Sequence, residues 1–206
     1  MCKPTVFQKT YEDYISQIGN INFYNASEIL GGVVRDNEII LPFFNKPYKI
    51  SSKGIFNNFE KKADFSEAVV LSKYLLLCPE KPVNNNKLVS YPQFKDSSPL
   101  IKYFKDNAEC AIAKHFSNNL SALKTAGKKL GGVLCPNIDA AYDLKLKFNP
   151  LPKIPIYILY NEAEEAFPAQ CVILFEQSAQ TYLDAECLAI LGTLLFNRLK
   201  QTAETT

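Results

Sequence analysis

The chain has 206 residues, a formal net charge of +2, and 47% hydrophobic against 21% charged residues. This composition is typical of a folded globular protein and excludes an intrinsically disordered chain. Because the charge is close to neutral, no overall field favours nucleic acid or an acidic membrane surface as a partner. No apolar run approaches the ~18 residues of a membrane span, so we predict no membrane segment.

The first 80 residues predict helices, then short strands, then a further helix. Aromatic and aliphatic residues recur at helical spacing from Phe7 to Ile18, and a second short helix ends at Gly31-Gly32. Three strand-like segments follow, at residues 33–34, 39–44 and 48–50. Asp64 and Glu67 then have the spacing of a capping box at the start of an apolar helix.

Residues 81–98 are rich in proline, asparagine and serine and predict a linker, with one short strand at 88–91. They divide the chain into a first half at 1–80 and a second half at 99–206. We expect the two halves to form one joint globular domain.

The second half contains the strongest strand signals. Residues 143–148 alternate between polar and apolar side chains, which predicts a half-buried strand. Residues 154–160 are almost wholly apolar and predict a strand buried on both faces, and residues 171–175 predict a third strand. Helices are predicted from Ser98-Pro99, over 119–130, and from Asp184 through Leu199, with residues 201–206 expected to fray. The sequence therefore predicts an antiparallel three-stranded meander packed against helices.

A short repeat links the two halves. Leu30-Gly31-Gly32-Val33-Val34 matches Leu130-Gly131-Gly132-Val133-Leu134, and each copy follows two predicted helices and precedes three predicted strands. We therefore predict an α+β fold of two pseudo-repeated helix-helix-three-strand-helix units. The alternative is that Leu-Gly-Gly is a common way to end a helix and is simply used twice.

The cysteines indicate a reduced, cytoplasmic protein without a cofactor of its own. The six cysteines are scattered, and several lie in apolar runs, where a free cysteine behaves as a small hydrophobic residue. No pair has the Cys-x-x-Cys spacing, and His115, the single histidine, lies near no metal-ligand pattern. The amino terminus has no apolar signal core.

The most concentrated polar chemistry lies in a loop between two predicted strands. Glu162, Glu164 and Glu165 lie in this loop, and Asp143 begins the same sheet. Carboxylates gathered at a strand end can hold a hard cation or act as acid and base. The alternative is a solvated hairpin loop whose charges discourage edge pairing, with Phe167-Pro168 as an anchor for the returning strand. Since the sequence has no nucleophile elbow and no phosphate-binding glycine loop, we favour a non-catalytic protein.

Several segments resemble the bacterial and archaeal family known as domain of unknown function 3786. The resemblance is carried in the second half by these segments: Leu130-Gly131-Gly132, Asp143, Leu151-Pro152-Lys153-Ile154-Pro155, Glu164-Glu165-Ala166-Phe167-Pro168-Ala169 and Ile173 to Ala179. The first half is similar through Ile39-Ile40-Leu41-Pro42 and through the helix that ends at Leu76. The chain departs from the family at Tyr142, where glycine is usual, and in having no tryptophan.

This resemblance implies a function in anaerobic redox or corrinoid-linked one-carbon metabolism. Some family members are joined to an iron–sulfur cluster domain, and the family occurs chiefly in anaerobes. The resemblance thus implies an accessory protein that binds an iron–sulfur or corrinoid protein as its partner. The alternative is a small-ligand or metal-dependent enzyme that uses Asp143, Glu162, Glu164 and Glu165.

Overall fold

Two antiparallel sheets, one in each half of the chain, frame the computed structural model, which describes residues 6–138 and 141–205. The first sheet has the order β1-β2-β3-β4, and the second has the order β5-β9-β8-β7-β6. Helices pack against both sheets around one hydrophobic core. The predicted α+β class is therefore confirmed.

The first half contains three helices and four strands. They are α1 (Val6–Ile18), α2 (Phe23–Leu30), β1 (Val33–Arg35), β2 (Glu38–Phe43), β3 (Lys46–Ser51), β4 (Gly54–Asn57) and α3 (Phe65–Leu76). The β2–β3 turn places Phe44 and Asn45 at positive φ, the conformation that matches the twist of a tight hairpin. Asp64 and Glu67 form the predicted capping box of α3.

After α3 come a short strand in the predicted linker and then, in the second half, a series of helical segments. They are β5 (Leu88–Ser90), α4 (Ile101–Phe104), a π-helical turn (Lys105–Glu109), α5 (Cys110–Phe116) and α6 (Leu120–Lys129). In the π-helical turn, the Glu109 carboxylate accepts a hydrogen bond from the backbone N–H of Ile173 at 2.9 Å. This contact fixes the helical segment to the second sheet.

The remaining elements complete the second sheet and the helix that covers it. They are β6 (Val133–Leu134), β7 (Leu144–Leu151), β8 (Ile154–Asn161), β9 (Gln170–Glu176), α7 (Ala179–Tyr182) and α8 (Ala185–Glu204). Every second residue of β7 from Leu144 to Phe148 is buried, and β8 is buried on both faces as far as Tyr160. The predicted antiparallel meander is confirmed as β7-β8-β9, which β6 and β5 extend at its two edges.

The two halves meet through reciprocal contacts between helix ends and hairpin turns. Gly31, after α2, lies against Pro152 in the β7–β8 turn, and Gly131, after α6, lies against Asn45 in the β2–β3 turn. The Asn45 side chain donates to the carbonyl of Leu130 at 3.2 Å. The helix end of each half therefore packs against a hairpin turn of the other half.

Buried side chains reinforce this junction. The Tyr74 hydroxyl donates to the Leu30 carbonyl at 3.0 Å and accepts from the backbone N–H of Lys153 at 3.2 Å. Arg198 of α8 forms an ion pair with Glu67 of α3. Helices α3 and α8 thus belong to the same core as the sheets.

The prediction of three strands in each repeated unit is wrong, because both sheets contain more than three. The first sheet has four strands, because Gly54–Asn57 pairs with β3 where the sequence predicted no strand, and the second sheet has five. From α1 to α3 the order is two helices, four strands and a helix. From α4 to α8 helical segments again come first, then the four strands β6 to β9, and then helices. That the two units arose by duplication stays a prediction. The division of the chain at residues 81–98 also stays a prediction, and part of this segment, β5, pairs with β9 of the second sheet.

Candidate functional site

Three of the four predicted carboxylates line one open cleft at the β8–β9 connection. The cleft has a volume of about 490 Å³, and Asp143, Glu162 and Glu164 lie in its wall. Other residues around it are Tyr142, Asn161, Phe167, Pro168 and Gln170. Glu165 is exposed and is not part of this lining. We refer to residues 162–168, between β8 and β9, as the acidic loop.

Both carboxylate oxygens of Glu162 accept hydrogen bonds from the backbone. Oε1 accepts from the N–H of Asn118 at 2.7 Å and from that of Ala163 at 3.1 Å, and Oε2 accepts from the N–H of Leu120 at 2.8 Å. Leu120 is the first residue of α6, so this carboxylate satisfies a donor that the helix itself leaves unpaired. Glu162 therefore joins the acidic loop to the start of α6.

These hydrogen bonds also set the ionisation of Glu162. Partial desolvation acts to raise its pKa, but the N–H groups of Ala163, Asn118 and Leu120 and the Tyr160 hydroxyl together outweigh it and hold the pKa below the ordinary value. Desolvation and the nearby Glu162 charge raise the pKa of Tyr160, so its hydroxyl remains a donor. Glu162 is thus an ionised structural carboxylate.

Asp143 also holds the backbone of the acidic loop. Its Oδ2 accepts from the N–H of Glu162 at 2.8 Å, and its own N–H donates to Oδ1 of Asn161 at 3.2 Å. The start of β7 and the end of β8 are therefore joined by side chains beyond their ladder of backbone hydrogen bonds. Asp143 and Glu162 lie next to each other, as predicted, but both stabilise the loop.

The tip of the acidic loop presents an aromatic ring next to two carboxylates. Glu164 and Phe167 exchange both backbone hydrogen bonds, at 2.9 and 3.1 Å, which closes the tip into a tight turn. The Phe167 side chain is 64% exposed, and Glu164 and Glu165 form no side-chain hydrogen bond or ion pair with another described residue. The sequence predicted Phe167-Pro168 as an anchor for the returning strand, and it gives no local signal that the Phe167 ring is exposed.

Metal-binding geometry is lacking in the part of the chain that the structure describes. Within residues 6–138 and 141–205, no three side chains of His, Cys, Asp or Glu converge to hold a metal ion. His115 is exposed and packs edge-on against Phe116 and Phe196. Burial raises the pKa of the Cys171 and Cys187 thiols, which keeps them protonated.

Comparison with known proteins establishes the family. A family model described as a domain of unknown function (DUF3786) matches residues 22–198, so the chain belongs to this family. No curated protein and no solved structure matches the chain. Among the described residues, none of the helices combines the length and the apolar character needed to cross a membrane.

Proposed function

We propose that this protein is a non-catalytic binding or accessory protein that docks a partner protein through the acidic loop. One observation carries the proposal: the Phe167 ring stands exposed on a fixed turn, next to the unpaired carboxylates of Glu164 and Glu165. Following the family resemblance, the proposed partner is an iron–sulfur or corrinoid protein of anaerobic metabolism.

Phe167 has the properties of an interface anchor. A rigid aromatic side chain binds with little loss of conformational freedom, and burying it contributes about 1.5–3 kcal/mol. Its turn is already closed by two backbone hydrogen bonds, so docking need not order the loop. Glu164 and Glu165 would then steer a partner whose surface carries lysine or arginine around an apolar pocket.

The hydrogen bonds that Glu162 and Asp143 already form support binding rather than catalysis. A general acid or base must reach a substrate proton, whereas Glu162 already accepts hydrogen bonds on both oxygens. Asp143 is committed to the backbone of the same loop. Glu162 is therefore not placed to exchange protons with a bound molecule without opening the loop, whereas Asp143 has only its Oδ2 engaged.

The proposal can be tested by purifying the tagged full chain from its native host under anaerobic conditions. We expect the wild type to copurify with a protein that contains iron or cobalt, detected by metal analysis and visible absorbance. Phe167→Ala should lose this partner because the anchor is gone, whereas Tyr24→Ala, which changes an equally exposed aromatic residue on α2, should retain it.

The same preparations can contradict the proposal. If the wild type, Phe167→Ala and Tyr24→Ala all retain the same partner, the acidic loop is not the docking surface. If the purified chain instead contains a stoichiometric metal that Asp143→Ala removes, the small-ligand or metal-dependent enzyme is the better description. A chain with neither metal nor partner would reject both.

A further inference from the structure

A second cleft, independent of the acidic loop, lies where the last turns of α8 cross the first sheet. We call it the α8 cleft, and its volume is about 280 Å³. Its floor consists of Tyr48, Glu67 and Arg198, and its walls include Lys46, Asn58, Phe59, Asp64, Asn197 and Gln201. Both halves of the chain therefore contribute to it, and junctions of this kind are common positions for small-molecule sites.

Arg198 is held firmly at the floor of the cleft. One of its terminal nitrogens, Nη2, donates to Glu67 and lies 3.5 Å from the Tyr48 hydroxyl. The guanidinium carbon lies 4.5 Å from the ring centre of Phe44 and 5.3 Å from that of Phe43. The Arg198 and Glu67 side chains are only 13% and 14% exposed. The guanidinium is thus preorganised before any ligand arrives.

This arrangement leaves hydrogen-bond donors available. Within the described residues Nη2 is the only nitrogen of the Arg198 side chain that has a partner, so Nε and Nη1 can still donate. Burial raises the pKa of Tyr48 to about 12, which keeps its hydroxyl protonated at neutral pH. Nε and Nη1 do not share an edge of the guanidinium, so each can donate a single hydrogen bond to a separate ligand oxygen.

The walls add further donors and one unpaired cation. In the described part of the chain, the side chains of Lys46, Asn58, Asn197 and Gln201 form no hydrogen bond or ion pair. Asp64 contributes a carboxylate, but its Oδ1 caps α3 by accepting from the N–H of Glu67 at 2.8 Å. Glu67 balances the charge of Arg198 and Asp64 offsets that of Lys46, so the lining is neutral overall and suits a ligand with no more than one negative charge.

We propose that the α8 cleft binds a small organic acid that carries one carboxylate and several hydroxyl or carbonyl oxygens. The carboxylate lies between the Lys46 ammonium and one unpaired N–H of Arg198, and the amides of Asn58, Asn197 and Gln201 donate to the other oxygens. Phe59, which is 70% exposed at the rim, covers an apolar face of the ligand. This site is separate from the proposed docking function.

Calorimetric titration with three probes tests the class of ligand. D-Gluconate has one carboxylate and several hydroxyls, D-glucose lacks the carboxylate, and butanoate lacks the hydroxyls. We expect gluconate to bind the full chain at least about ten-fold more tightly than either of the others, since each omits one set of contacts. If gluconate does not bind, or binds no better than glucose, the proposal is overturned.

Variants of exposed residues test the position of the site without disturbing the fold. Lys46→Met should weaken gluconate binding about ten-fold, and Asn197→Leu should also weaken it, because each removes a donor from the wall. Lys53→Met changes an exposed lysine in the β3–β4 turn outside the cleft and should bind like the wild type. Unchanged affinity in Lys46→Met and Asn197→Leu would reject the α8 cleft as the site.

Discussion

At the level of single residues, Glu162 illustrates how a carboxylate in a loop becomes part of the fold. Its lowered pKa means that the folded state binds the proton of this group less readily than the unfolded chain does. The stabilisation is therefore fully present above the unfolded-state pKa of about 4.3 and is lost as the pH falls through the lower folded-state value.

Glu162→Gln should lower the free energy of unfolding by about 1 kcal/mol at neutral pH, since a neutral amide accepts the same N–H groups more weakly and the site is partly solvated. Its unfolding free energy should also fall less between pH 5 and about 3 than that of the wild type. Urea denaturation at several pH values measures both effects. Glu164→Gln, in the same loop but without a side-chain partner, is the control and should match the wild type at pH 7.

At the level of elements, the glycines that end α2 and α6 perform two tasks. Gly31 and Gly131 have φ values of 78° and 87°, a left-handed conformation that disfavours other residues. The same residues lie against Pro152 and Asn45 of the opposite half, leaving no room for a Cβ. The two glycines that mark the helix ends in the sequence therefore also form contacts between the halves.

Gly31→Ala should lower the free energy of unfolding by about 2 kcal/mol, because it adds backbone strain and places a Cβ 2.8 Å from Cβ of Pro152. The matched control is Gly19→Ala at the end of α1, where a Cβ would meet nothing closer than 3.4 Å. Chemical denaturation of the two variants gives the comparison. Equal stabilities would mean that the Gly31 contact does not support the junction.

The elements also show which features sequence alone can reveal. Strands β7 and β8 were predictable because burial on one face or on both leaves a periodic or continuous apolar pattern. Strand β4 was missed since Gly54–Asn57 is short and is defined by its pairing with β3. The spacing of the acidic residues anticipated that Asp143, Glu162 and Glu164 line one cleft, but not that Glu165 lies outside it. The donors from Asn118 and Leu120 come from a distant loop and leave no local signal.

At the level of the whole molecule, the junction suggests that neither half is stable alone. Tyr74, the Arg198–Glu67 pair and a contact of 3.3 Å between Lys73 and Asp184 all join the halves, and α3 packs on α8. Separation would expose this apolar surface to water, at a cost of about 25 cal/mol per Å², and would exchange each of these hydrogen bonds for water, at about 0.5–1.5 kcal/mol.

We therefore expect fragments 1–84 and 85–206 to lack cooperative thermal unfolding when expressed separately. Mixing them should restore a single cooperative transition, followed by circular dichroism, and a 1:1 complex in size-exclusion chromatography. The intact chain serves as the reference. Two fragments that each unfold cooperatively on their own would show instead that the chain consists of two independent domains.

The π-helical turn affects how readily another molecule can pair with the β9 edge of the second sheet. Strand β5 covers β9 only opposite Leu174 to Glu176, and the Glu109 carboxylate occupies the next outward N–H, that of Ile173. An incoming strand from another molecule would have to displace this acceptor before it could extend the sheet. The Glu109 carboxylate, together with the π-helical turn and α5 that pack on β9, thus hinders another strand from pairing with this edge of the larger sheet.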